Sequence, residues 1–238
     1  MKKILVVQNV ARERLGLLEN PLVQNGISRD VADLDAGDPF PDPLEYDALI
    51  VFGAPDSAND GTAKMIDEVG KVGRAVRAGM PYLGICLGMQ VLVKACGGRV
   101  FPNDIKEIGW RGPDGEFFTV ALTEDGQCDP LFAGLESPFV TLQLHGETVE
   151  LTEDMILLGT GKYCRNQIVR VGEKAYGIQC HFEQTPQMFG EWLAEDDDLK
   201  RADHAAMQRD YQSIKQEYER VGNALFGNFM RVAGLVAG

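Results

Sequence analysis

One segment constrains the fold of this chain more than any other: Pro81-Tyr82-Leu83-Gly84-Ile85-Cys86-Leu87-Gly88-Met89-Gln90. The apolar run Tyr82 to Ile85 reads as a strand. Leu87 to Ala95 reads as a helix that stops at Gly97-Gly98. Only Cys86 stands between them. So short a connection forces its central residue into an unusual backbone conformation, and side chains two positions to either side would collide; Gly84 and Gly88 answer that demand. The turn also sets the sulfur at a helix N-terminus, where the dipole favours the thiolate. A chain built around such a turn carries a strand and a helix packed against each other, the unit of α/β architecture.

The surrounding pattern agrees. Ile4 to Val7, Val31 to Leu34 and Ala48 to Phe52 read as strands, a polar and partly helical stretch runs from about Ala11 to Asn25, and Asp38 to Pro43 is a Pro-rich loop. Ala63 to Ala78 has helical periodicity, with Gly79 as its stop. After Gly98 short strands follow one another: Glu116 to Leu122, Phe139 to Leu144, Ile156 to Gly159, Gln167 to Val171 and Ala175 to Cys180. From Pro186 the chain is mostly helical, with the acidic run Glu195 to Asp198 inside it. The expectation is an α/β fold, a three-layer α/β/α sandwich whose mostly parallel sheet carries antiparallel additions. No linker or repeat is visible. Residues 1–238 are therefore expected to form one domain with a helical C-terminal tail from about residue 186.

Composition excludes several classes. With 36 acidic against 23 basic residues the formal charge is −13, which opposes non-specific binding to nucleic acid or to an anionic membrane. The five cysteines (86, 96, 128, 164 and 180) form no CxxC pair, so neither a zinc site, another metal centre nor a disulfide framework is expected. Ile4 to Val7 is followed by polar Gln8 and Asn9, unlike a signal peptide, and no apolar stretch approaches the ~20 residues that span a bilayer. A cytoplasmic protein without cofactor is the expectation.

A reactive thiolate needs a base and a group to orient it. Of the three histidines, His181 follows the strand Ala175–Cys180, and Glu183 lies two residues on. In extended chain these side chains point the same way, so the carboxylate can accept the imidazole N–H that faces away from sulfur. The N–H of Leu87 is one candidate oxyanion donor. A second is expected from the loop Phe52-Gly53-Ala54-Pro55, where small residues let backbone approach a ligand.

With these residues in place, the chain resembles the class I, triad-type glutamine amidotransferases, and most closely the glutaminase domain of GMP synthase and its stand-alone relatives. Gly84 to Gln90 is similar to the family's nucleophile motif, and Gly177-Ile178-Gln179-Cys180-His181-Phe182-Glu183 to its Gly-x-Gln-x-His-Pro-Glu motif. Gly53-Ala54-Pro55 stands where the family has Gly-Gly-Pro, and Leu144-His145-Gly146-Glu147 resembles its Ser-His-Gly-Asp segment. Lys106-Glu107-Ile108-Gly109-Trp110 also looks like stand-alone members. The likeness runs from about residue 45 to 195.

The resemblance implies a flavodoxin-like three-layer fold and a set of roles. Cys86 would attack the side-chain amide of glutamine, His181 would move the proton, and Glu183 would orient His181. The N–H groups of Ala54 and Leu87 would hold the oxyanion, while Gly53, Gln90, Gln143, Leu144 and His145 would border the glutamine pocket. Four positions depart from the pattern: Ala54 replaces the second glycine, Phe182 a proline, Cys180 an aromatic residue and Glu147 an aspartate. The phosphate loop of the GMP synthase ATP-pyrophosphatase does not occur in the sequence. Three readings stand: a glutaminase that feeds ammonia to a separate synthetase subunit, a stand-alone γ-glutamyl peptidase or amide hydrolase, and a non-catalytic regulatory binding protein of the same fold.

Overall fold

Residues 2–236 are described by the structure, a computed structural model. The N-terminal half alternates as its apolar runs require. β1 (Lys3–Gln8) leads through a loop to the short helix α1 (Glu19–Gln24) and β2 (Ser28–Asp33); β3 (Ala48–Val51), α2 (Ala63–Arg77), β4 (Tyr82–Ile85) and α3 (Leu87–Ala95) follow. Thr62 caps α2 by accepting the Met65 N–H, and Gly79 ends the turn after it at φ +73°. Beyond α3 come β5 (Arg99–Gly109), β6 (Thr119–Leu122), α4 (Glu124–Cys128), β7 (Phe139–Val140), β8 (Gln143–Glu150), β9 (Met155–Thr160), β10 (Ile168–Val171) and β11 (Ala175–Ile178). α5 (Pro186–Glu195) and α6 (His204–Val232) complete the described chain.

Nine strands form one sheet in the order β2-β1-β3-β4-β11-β10-β9-β6-β7. The first five run parallel, and from β10 onward every pairing is antiparallel. β5 and β8 pair separately. Alternation along the parallel strands makes the three layers. Ile4, Val6, Ile50, Leu83 and Ile178 face a core closed by Leu22 of α1, Phe189 and Trp192 of α5, and Phe226 and Phe229 of α6. Leu5, Val7, Leu49, Val51 and Tyr82 face the opposite core, closed by Met65 and Val72 of α2 and Met89 and Leu92 of α3. This is the expected α/β/α sandwich with a mostly parallel sheet.

Several boundaries differ from those expected. The stretch from Ala11 to Asn25 is loop as far as Leu15, then a single 3-10 turn (Gly16–Leu18) and the short α1. The expected strand Phe139 to Leu144 divides into β7 and the start of β8, and Glu116 to Leu122 shortens to β6. β5 was not expected at all. Its residues are mostly polar or partly exposed and include Pro102, because it pairs only with β8 and supplies no continuous core face. The helical tail is no loose appendage: Tyr211, Tyr218, Phe226 and Phe229 of α6 are buried. Tyr211 stacks on Trp110 at 5.4 Å, with Phe189 and Tyr218 edge-on to the same indole.

Candidate active site

The turn after β4 takes the shape its glycines allow. Cys86 has φ 53° and ψ −107°, and among the described residues it is the only non-glycine with positive φ. A Cβ on Gly84 would lie 2.4 Å from the backbone of Gly88, and one on Gly88 would lie 2.2 Å from the Val51 carbonyl of β3. Cys86 caps α3, and its N–H donates to Ile178 O at 2.7 Å. Ala54, by contrast, carries no positive φ, so its side chain is accommodated without strain where the family pattern has glycine.

β11 lies parallel beside β4, with Ile178 opposite Ile85, so the chain leaving β11 passes the elbow directly. His181 is fixed there by its N–H to Leu142 O at 2.9 Å and by the edge of Trp192 at 4.8 Å. Its Nδ1–H donates to Glu183 Oε1 at 2.6 Å, and both side chains are fully buried. The other oxygen of Glu183 accepts the Phe182 N–H at 2.9 Å, and Gln184 Nε2 donates to Oε1. The carboxylate is thus oriented as well as paired. Burial alone would depress His181, but the Glu183 charge and the interaction with Cys86 outweigh it and raise the imidazole well above its ordinary value. Burial pushes the Cys86 thiol up, while His181 and the Leu87 N–H pull it down. The net direction for the thiol is up, Glu13 adding to burial, so the geometry sets a protonated thiol beside a strongly basic imidazole to which one proton can pass.

Cys86 opens onto a cleft of about 470 Å³ that Ala54, Pro55, Gln90, Leu144, His145, Gly146 and Glu147 help to line. Of the residues named from sequence, Ala54, Cys86, Gln90, Leu144 and His145 meet on this cleft. The Leu144 carbonyl stands 3.8 Å from the sulfur, and the Gln90 side chain donates to Gln179 Oε1 at 3.2 Å. Gln143 is buried beneath, donating to Thr141 and Gln167. The imidazole of His145 is engaged at both nitrogens, with Glu147 O at 2.9 Å and Glu107 Oε2 at 2.8 Å, which leaves the backbone of this segment as the part free to meet a ligand.

Glu107, His145 and Cys164 bring their donor atoms within 4.8 Å of one another, a second Cys-His-Glu group that spacing in the sequence does not reveal. It is built differently from the first. Both ring nitrogens of His145 are taken up by Glu147 O and Glu107 Oε2, and neither hydrogen-bonds the Cys164 sulfur. Glu107 also accepts from Gln167 Nε2 at 2.9 Å, Cys164 is shared with Thr148 at 3.2 Å, and burial pushes the Cys164 thiol up to about 11. These contacts brace β8 against β5 under the cleft.

The most deeply buried acid of the cleft carries no sequence motif. Glu13, in the loop between β1 and α1, is 3 % exposed and lines the cleft beside Cys86. Its Oε2 lies 2.3 Å from where a Cβ of Gly53 would stand, so the carboxyl packs directly on the glycine and would have to swing aside for a larger residue. Its signal lies in three dimensions: the loop is held against the site by Leu17 N–H to Glu183 O and Trp192 Nε1–H to Arg12 O.

Comparison with known proteins gives the family and the fold. The chain aligns at 34 % identity over 154 residues with the glutamine amidotransferase-like protein YfeJ of Salmonella typhimurium, spanning 61 % of this chain and 60 % of that one. It aligns at 29 % over 195 residues with the GMP synthase of Thermosipho melanesiensis, spanning 81 % of this chain but only 35 % of the synthase. The fold matches a glutamine amidotransferase from Methylobacillus flagellatus at a TM-score of 0.84 and 22 % identity over 98 % of this chain and 95 % of that one. One from Thermotoga maritima matches at 0.83 and 24 %, over 98 % of each chain. The sequence profile of the family called glutamine amidotransferase class-I matches residues 15–199, and the chain therefore belongs to the class I glutamine amidotransferases.

Proposed function

We propose that the chain is a cysteine-dependent amidohydrolase acting on the side-chain amide of glutamine, or on a related γ-glutamyl amide, through Cys86, His181 and Glu183. The observation that carries this reading is the buried His181–Glu183 pair beside a thiol held in an elbow of positive φ. As Cys86 Sγ bonds to the amide carbon, its proton passes to His181, and the carbonyl electrons move onto oxygen. The N–H groups of Ala54 and Leu87 hold that oxyanion. His181 then protonates the nitrogen, the C–N bond breaks with its electron pair on nitrogen, and a γ-glutamyl thioester remains. Water, deprotonated by His181, attacks the thioester and releases glutamate and the thiol. Glu183 keeps Nδ1 protonated throughout, so Nε2 does the proton transfer.

The Cys86→Ala variant is expected to lose glutamate release by at least about 10³-fold while melting as the parent does, since triad members act as a unit. Mass spectrometry of rapidly quenched wild-type protein with glutamine should show the acyl adduct on Cys86. Neither turnover nor an adduct with glutamine or any γ-glutamyl amide would leave the non-catalytic reading standing.

The cleft volume supports a second reading, a stand-alone γ-glutamyl hydrolase. It falls within the roughly 300–1,000 Å³ of sites that hold drug-sized ligands, leaving room for a leaving group larger than ammonia. A panel of γ-glutamyl amides compared with glutamine by kcat/KM separates the two. Glutamine alone being cleaved, with stimulation by an added synthetase subunit, favours ammonia supply.

A further inference from the structure

Glu13 takes no part in the mechanism above, yet the fold brings it into the reacting centre. Its N–H donates to Val10 O at 3.0 Å, its neighbour Arg12 is anchored by Trp192, and Arg12 pairs with Asp196 at 2.7 Å. The loop backbone that carries Glu13 is thereby held against the cleft. Oε2 is buried and completes no hydrogen bond, although the Gly53 N–H faces the carboxyl group. A buried carboxylate oxygen left unpaired is costly, and its persistence at a ligand cleft points to a partner that arrives with the ligand.

The position tells which part of the ligand that is. The charged side chains around Glu13 are His181 and Glu183 beyond β11 and its own neighbour Arg12, with the Gly53 N–H directed at the carboxyl. His181 is the group that hands its proton to the departing nitrogen, and Glu13 lies near enough for the two charges to interact, so a charge on that nitrogen is felt by Glu13 as well. An ionised carboxylate there opposes a bare thiolate and oxyanion. It is compensated when N–H groups or a positive charge sit beside it, as they do once the leaving amine takes the His181 proton.

The rest of the cleft has the same sign. Asp56, Glu147, Asp196 and Asp198 line it with Glu13, against two cations, Arg12 and Lys106; Asp56 is paired with Lys64, which leaves Glu13 and Glu147 as the lining acids without a cation. Arg12 is paired with Asp196 and Lys106 with Asp198, so neither lining cation stands free for an incoming carboxylate. We propose that Glu13 is a specificity-determining residue of the leaving-group pocket, selecting γ-glutamyl amides of ammonia or of cationic amines over γ-glutamyl amino acids and peptides, whose leaving amine carries a carboxylate. This rests on the amidohydrolase reading above. Burial pushes Glu13 from its ordinary 4.5 up to about 7, with His181 opposing and Glu183 adding to the rise, so assays belong near pH 8, where the carboxyl is ionised.

The test compares wild type with Glu13→Gln, an isosteric change whose fold is checked by thermal melting. Substrates are glutamine, the γ-glutamyl amide of 1,4-diaminobutane, and γ-glutamylglycine. Wild type should prefer the first two over the third in kcat/KM by roughly tenfold or more, and Glu13→Gln should shrink the preference of cation over anion by roughly tenfold. A ratio that stays within about twofold in the variant overturns the proposal. Alkylation of Cys86 by iodoacetamide, iodoacetate and 2-bromoethylamine reads the same field without turnover, because reagent ratios cancel any change in thiolate fraction. Wild type should discriminate against iodoacetate and favour the cation, and the variant should lose that order; unchanged reagent ratios would also overturn the proposal. If wild type cleaves no γ-glutamyl amide, the amidohydrolase reading fails, while the alkylation ratios still decide whether Glu13 sets the charge preference of the pocket.

Discussion

Cys86 and Glu13 sit on one cleft under opposite demands. A non-glycine residue in a sparsely populated backbone region costs about 1–3 kcal/mol, and at Cys86 the surrounding strand and helix hold the residue there. Glu13 carries a different cost. Its carboxyl titrates near 4.5 when exposed and is raised to about 7 when folded. The folded state therefore holds this proton more tightly than the unfolded chain. Stability from this source is complete below pH 4.5 and lost as pH rises through 7. The difference of about 2.5 units corresponds to about 3 kcal/mol, an order of magnitude for one buried group. Glu68, bonded to Asn9 and also raised to about 7, acts in the same direction. We predict that Glu13→Gln stabilises the protein at pH 8 relative to wild type and by much less at pH 5, read from urea midpoints at both. Equal shifts at the two pH values would contradict a buried ionisable Glu13. The triad was legible in the sequence because each part is local: two glycines around a cysteine, and a histidine two residues from a glutamate. Glu13 was not, because what makes it a site residue is its approach to Gly53 and His181, both remote along the chain.

Among the elements, the β4–α3 junction is set by two close approaches, Gly84 to Gly88 and Gly88 to the Val51 carbonyl. Gly84→Ala or Gly88→Ala must push α3 away from β3 and β4. Overpacking of this kind costs typically about 1–3 kcal/mol. The prediction is a lower urea midpoint in either variant and near-complete loss of Cys86 alkylation control, seen as equal reactivity toward charged and neutral reagents. Wild-type stability in Gly88→Ala would mean the elbow is looser than its geometry. β1, β3 and β4 could be read from sequence because both faces of a central parallel strand are buried, which gives continuous apolar runs. β5 could not, since its polar residues serve a two-strand pair and the buried Glu107 is satisfied by His145 and Gln167 rather than by any periodic pattern.

Across the whole molecule, α6 reaches the loop that carries His181 and Glu183. Tyr218 of α6 donates its hydroxyl to His181 O at 3.1 Å and accepts the Gln184 N–H at 3.2 Å. Phe182, the residue that replaces the family proline, packs its ring against Tyr218 and Phe139. Removing the hydroxyl leaves a buried N–H without a partner, at a cost of about 1–3 kcal/mol. Tyr218→Phe is therefore expected to lower both stability and kcat with little change in KM, because His181 is positioned through its own backbone. An unaltered kcat would show that the loop holds itself. The sequence suggested an appended helical tail, since periodicity reveals that a helix is amphipathic but not which surface receives it. The parallel pairing of β4 with β11 has one more implication, for the order of events during synthesis. Cys86 and α3 emerge early, whereas β11, which leads to His181, emerges only after the intervening strands have left the ribosome. Until that late strand docks, Cys86 has neither the His181 contact nor the completed cleft, so the parts of the proposed site come together only as the sheet is finished.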